Sequence, residues 1–159
     1  MKNICIGLFE GETLPESLAA FKDVKLDLEF GKITTIHTLN QLDCEKVVVV
    51  GLGDGKKNIK EAFSKVEADD YLVYATENTA YAAGFGLVYG AYSYKDTKVY
   101  DLESDDFKDE FEKGKTVARI VNHAREMSDM PANFLTPDHL VDEAKLVAEK
   151  YDMEIEVLA

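Results

Sequence analysis

A chain of 159 residues with 46% apolar content hides on the order of 70% of its unfolded surface and so sustains one real core. Its 31 acidic residues outnumber 18 basic ones, and the net charge of −13 repels a phosphate backbone instead of releasing its counterions, which argues against nucleic acid as a partner. The terminus MKNICIGLFEGE is too short an apolar run for a signal peptide, and no later stretch approaches the ~18 apolar residues of a membrane span.

In chain order, residues 4–9 form a short apolar run closed by Gly11. Val24, Leu26, Leu28 and Phe30 alternate with charged residues as a half-buried strand requires. Gly31 and Lys32 then read as a hairpin turn, with 33–39 returning antiparallel on a Thr- and Ile-rich backbone. Lys46 and the four valines after it are apolar on both faces, the pattern of a central strand covered on each side. Residues 59–66 predict a short helix, 71–76 another buried strand, and 78–92 a helix rich in Ala and Gly. Its internal glycines, Gly84, Gly86 and Gly90, cost about 1 kcal/mol each against alanine and demand close packing in return.

A strand is expected at 97–102. From Phe107 to Met127 apolar residues recur at helical intervals, which predicts one long helix ending at Met130, because Pro131 disfavours a helical residue before it. Thr136 is a fitting N-cap, Pro137 suits the first helical position, and Asp138 faces the positive end of the dipole. The stripe Leu140, Val141, Ala144, Val147, Ala148 and Tyr151 forms the helix that follows. Met153, Ile155 and Val157 alternate with glutamates as a last strand. The fold class is α/β: a three-layer α/β/α domain with a mixed, mostly parallel sheet, followed by a long linker helix. The expected divisions are 1–104 for the α/β domain, 105–130 for the linker helix and 131–159 for the beginning of a further domain that is cut short.

The chemistry-bearing residues are sparse. Gly51, Gly53 and Gly55 follow a strand and precede a helix, where backbone N–H groups can cradle an anion. The third glycine of a dinucleotide fingerprint is replaced by Lys56, however, so a tight turn and an anion site both stay open. His37, His123 and His139 lack the HExxH spacing of a metal site, although His123 and Glu126 lie three apart on a helix. Ser64, Ser93 and Ser128 lack a nucleophile-elbow context. Cys5 and Cys44 form no CxxC pair and suit small buried hydrophobes in a reducing cytosol. Seven tyrosines crowd residues 71–100, Tyr71, Tyr74, Tyr81, Tyr89, Tyr92, Tyr94 and Tyr100, and such rings serve either core packing or an interface.

Three segments, VVVVGLGDGKKN at 47–58, AYAAGFGLVYGAYSYKDTK at 80–98 and ARIVNHAREMSDMPANFLTPDHLVDEAKLVAEKYDMEIEVL at 118–158, together resemble the amino-terminal part of the leucyl aminopeptidase (cytosol aminopeptidase) family. Arg125, Glu126, Met127, Pro131, Asn133, Leu135, Thr136 and Pro137 carry the most specific part of the match. Asp129 stands where the family commonly has asparagine, and Ala132 where proline is frequent. The resemblance implies a cytoplasmic, homo-hexameric exopeptidase whose amino-terminal domain is joined by a helix to a catalytic domain holding two divalent metals, zinc or manganese. The family's catalytic lysine and NTDAEGR-type motif are not in this sequence, so no catalytic or metal residue is carried onto it. The expected function is that of the non-catalytic amino-terminal domain, inactive alone, whose partners are the catalytic domain and other subunits; peptides engage only the absent domain. The alternative is a free-standing module that binds a phosphate-bearing small molecule at Gly51, Gly53 and Gly55. A DNA-binding regulator is disfavoured by the charge. The apolar faces of 137–151 and 153–158 are expected to pack on the domain itself or on a neighbouring copy.

Overall fold

The computed structural model describes residues 2–158. The chain divides into two compact units, with the boundary between residues 122 and 123. The first unit is built on a five-stranded sheet of β1 (Asn3–Leu8), β2 (Ile33–His37), β3 (Lys46–Gly51), β4 (Tyr71–Tyr74) and β5 (Leu102–Ser104), in the order β2-β3-β1-β4-β5. β1 runs parallel to β3 and β4, β4 runs parallel to β5, and β2 alone is antiparallel, on the edge beside β3. The sheet is therefore mixed and mostly parallel.

The period of two along each strand sorts side chains to two faces. Ile4, Ile6, Leu8, Val47 and Val49 join one cluster with Leu18 and Phe21, while Cys5, Val48, Val50, Tyr71 and Val73 join the other with Phe63 and Phe111. This is why the valine run is apolar throughout. Helices α1 (Ile59–Phe63), α2 (Ala80–Gly90) and the first part of α3 (Lys108–Asp129) cover the second of these faces. The opposite face is covered by a 3-10 turn at Glu16–Phe21 and by Leu14, Leu26, Leu28 and Leu42. Phe63 and Phe111 are wholly buried, each contributing about 1.5–3 kcal/mol of hydrophobic stabilisation.

The small residues of α2 have the packing role that their cost demands. A Cβ on Gly84 would collide with the Phe111 carbonyl, and one on Gly114 of α3 would collide with the Tyr81 carbonyl. The two helices thus meet backbone to backbone, and any side chain at either position would push them apart.

Two expected strands and one helix end are corrected. Residues 24–30 form no strand: the Leu28 carbonyl accepts from the Gly53 N–H at 3.0 Å, the Glu29 N–H turns back to Asp27 Oδ1 at 3.1 Å, and β2 takes β3 as its partner instead. Leu26 and Leu28 still point inward, so the alternation reported burial and not pairing. The strand expected at 97–102 begins only at Leu102, since Val99 is 93% exposed and the chain first meets β4 where the Tyr71 N–H donates to the Asp101 carbonyl. Helix α1 ends at Phe63, short of Val66, because Lys65 and Val66 donate back three residues in 3-10 fashion.

The second unit comprises the end of α3 and helix α4 (Pro137–Lys150). Thr136 caps α4 by accepting the His139 N–H at 3.3 Å, and Pro137 occupies the first turn. The last expected strand, at 153–157, does not form: these residues take no regular secondary structure and pair with no strand among the described residues. Within α4 only Ala148 is buried, while Leu140, Leu146, Val147 and Tyr151 stay exposed, as do Met153, Ile155, Val157 and Leu158 beyond it.

Candidate functional site

The turn with Gly51, Gly53 and Gly55 is the sequence's one candidate binding loop, and three of its backbone donors are already engaged. The N–H of Gly51 donates to the Lys32 carbonyl at 2.8 Å, that of Leu52 to Leu8 at 2.9 Å and that of Gly53 to Leu28 at 3.0 Å. These are structural bonds that fix the end of β3 against its neighbours. Gly53 and Gly55 adopt φ of +64° and +79°, a left-handed backbone that glycine enters without strain. Beyond them the Lys56 ammonium pairs with Asp54 at 2.6 Å, and this hydrogen bond holds the Asp54 carboxyl below its ordinary range. An anion approaching here meets a carboxylate already neutralising the nearest lysine.

The histidines fall in different settings. His37 closes the edge strand β2 and is exposed. In the second unit, His123 Nε2 lies 3.6 Å from Glu143 Oε2, and His139 Nε2 lies 3.8 Å from Glu143 Oε1. The partner of His123 is therefore on the following helix, and no sequence spacing announces Glu143. His123 and Glu143 sit at the rim of an open groove of about 460 Å³ walled by Met127, Leu140, Val147 and Met153.

The remaining nucleophiles are built into the structure. Burial pushes the Cys5 thiol up to about 12, and burial also raises Cys44, so neither presents a thiolate near neutrality. Ser64 and Ser128 hydroxyls donate to the carbonyls of Glu61 and Ala124, and the Ser93 N–H is taken by Thr97 Oγ1. The Tyr71 hydroxyl donates to the Glu67 carbonyl at 3.0 Å, and burial drives its pKa upward. Tyr81 and Tyr89 lie half-buried on α2, stacked on either side of Phe85 with ring centres 6.5 and 5.5 Å apart.

A partly buried polar knot fastens the sheet. Asn3 Nδ2 donates to Asp69 at 3.0 Å, Asn3 Oδ1 accepts the Lys46 N–H at 3.0 Å, and Lys46 Nζ pairs with Asp69 at 2.9 Å. The Lys46 hydrogen bond lowers the Asp69 pKa, and Asp69 raises that of Lys46. This network joins β1, β3 and the approach to β4, and Asp69 also borders a small cleft lined by Ala68, Tyr71 and Tyr100.

Comparison with known proteins supplies what the geometry of these groups does not. A probable cytosol aminopeptidase of Exiguobacterium sibiricum is 31% identical over 151 residues, covering 80% of this chain and 31% of that protein. The cytosol aminopeptidase of Rattus norvegicus is 31% identical over 141 residues, covering 72% of this chain and 27% of its own length. A probable cytosol aminopeptidase of Aromatoleum aromaticum is 22% identical across 98% of this chain and 41% of that protein. The chain is a relative of the cytosol aminopeptidases.

The fold agrees with solved structures. The bottromycin maturation enzyme BotP superimposes with a TM-score of 0.70 at 16% identity over 96% of this chain and 38% of its own. It has also been solved in complex with Mn. The cytosol aminopeptidase of Coxiella burnetii gives 0.66 at 17% identity, over 95% of this chain and 36% of its own. No family model matches the chain. The chain spans between about a quarter and two fifths of these curated relatives, 27–41%.

Among the described residues no three His, Cys, Asp or Glu side chains gather to hold an ion. The nearest approach, His123 and His139 at 3.6 and 3.8 Å from Glu143, does not amount to such a group. The described residues therefore offer a divalent ion no set of three such side chains. No helix among the described residues is long and apolar enough to cross a membrane.

Proposed function

We propose that this chain is the non-catalytic amino-terminal portion of a leucyl-aminopeptidase-like metallo-exopeptidase that removes amino-terminal residues, often leucine, from peptides. The observation that carries the reading is a match over 80% of the chain that falls on only 31% of a 31%-identical aminopeptidase. In this reading two divalent ions, zinc or manganese, activate water in a separate catalytic domain. The sheet unit then serves assembly or access within a cytoplasmic homo-hexamer, its partners being that catalytic domain and the neighbouring subunits, and peptides reach only the catalytic domain.

Calorimetric titration of the chain with Mn²⁺ and Zn²⁺ tests this division of labour. The expected result is no stoichiometric heat at micromolar ion. Saturable binding of two ions per chain would contradict it and place a metal centre within these residues.

A further inference from the structure

Three lysines on and beside α1 gather aromatic rings instead of carboxylates. Lys57 Nζ lies 5.0 Å and Lys65 Nζ 5.6 Å from the centre of the Phe30 ring. Lys60 Nζ lies 5.0 Å from the centre of Tyr81 and 4.9 Å from that of Phe85. All of these are within the ~6 Å over which a ring face attracts a cation. Lys2, Lys46, Lys56 and Lys115 pair with carboxylates, whereas among the described residues these three do not. Lys57 and Lys65 are exposed, and the stacked row of Tyr81, Phe85 and Tyr89 lies half-buried on α2.

The result is two lysine–ring groupings along the 57–65 segment, one about Phe30 and one about Tyr81 and Phe85, on a protein whose net charge is −13. A ring face leaves the N–H donors of an ammonium to water, so a carboxylate can take them without first breaking an ion pair. We propose that this face of α1 and α2 binds an acidic peptide segment, its carboxylates held by Lys57, Lys60 and Lys65 and an apolar side chain laid along Tyr81 and Phe85. The proposal goes beyond the aminopeptidase reading and stands or falls separately from it.

The size of the patch selects the occupant. Duplex-binding proteins that neutralise many phosphates use roughly 6–10 contacts, and lipid-binding clusters use about 4–8 basic residues. Three lysines fall short of either, and the surrounding excess of acid repels an extended polyanion. A segment with two or three carboxylates is matched in charge and ends before it meets that surface.

Fluorescence anisotropy with a labelled Asp-Asp-Phe-Glu-Glu-Leu peptide tests the inference, with its Asn/Gln counterpart and an oligothymidylate as competing probes. The expected result is saturable binding of the acidic peptide that weakens with added salt. The double variant Lys57→Glu and Lys65→Glu should weaken it at least tenfold, while Lys145→Glu and Lys150→Glu on α4 should leave it unchanged. Phe85→Leu should weaken it severalfold with the thermal transition retained. Absence of saturable binding, equal affinity in the two double variants, or equal binding of the neutral peptide would overturn the proposal. Tighter binding of the oligothymidylate would overturn it in favour of a polyanion surface. Because Lys57 and Lys65 also contact the Phe30 ring, an unchanged melting curve separates lost binding from lost fold.

Discussion

The two units spend similar kinds of residue in opposite ways. The sheet unit places its apolar side chains in clusters on both faces, with Leu18, Val47, Val49, Phe63 and Phe111 fully buried. The second unit carries an equally regular apolar stripe, yet of α4 only Ala148 is buried, while Leu146 is 59% exposed and Leu158 84%. Amphipathic pattern therefore states that a face is meant to be covered, and it does not say whether the covering is present. The first unit has the contents of an independent core; the second has a helix with a correct start and little to close it.

Substitutions should expose this contrast, beginning with the deepest. Phe63→Ala removes a wholly buried ring between α1 and the sheet and should cost about 4 kcal/mol in urea unfolding. A loss under about 1 kcal/mol would mean that the first unit is not close-packed. Gly114→Val drives a side chain into the Tyr81 carbonyl and should cost about 3 kcal/mol, read as a fall in the melting temperature. In the second unit, Thr136→Ala removes the acceptor for the His139 N–H and should cost about 1 kcal/mol of local helix stability, read by hydrogen exchange in α4. Leu146→Glu alters an exposed position and should shift global stability by no more than about 0.5 kcal/mol. A large effect there would reveal a covered face and erase the contrast.

The pH dependence of the first unit should centre on Asp69 and Lys46. The hydrogen bond from Lys46 lowers the folded pKa of Asp69. Its stabilising contribution is therefore present above the unfolded value of about 3.9 and is lost as pH falls through the folded one. The raised Lys46 pKa, caused first by Asp69, gives stability present below about 10.4 and lost as pH rises through the folded value. Asp69→Asn should flatten both limbs in denaturant titrations across pH. Retention of an unchanged acid limb would assign it to other carboxylates.

Much of the fold was legible because burial and local chemistry leave marks on the sequence. The valine run of β3, the glycines of α2, the stop before Pro131 and the Thr136 cap each state a constraint that acts where the residue stands. The failures share a cause. Residues 24–30, 97–101 and 153–157 all favour extended chain, but a strand also needs a neighbour's backbone, which composition does not record. The candidate sites were legible to a similar degree. The glycine turn was found, though the engagement of its N–H groups by Lys32, Leu8 and Leu28 depends on chain arriving from elsewhere. Glu143 beside His123 and the rings beneath Lys57 and Lys60 were missed because each pair joins separate elements.

Turnover of a leucyl chromogenic substrate by the purified chain, with Zn²⁺ or Mn²⁺ supplied, tests the proposed role most directly. The account predicts a rate indistinguishable from buffer with the same ions. Hydrolysis that scales with chain concentration and stops on chelation would contradict it, because the catalytic centre would then lie within these 159 residues.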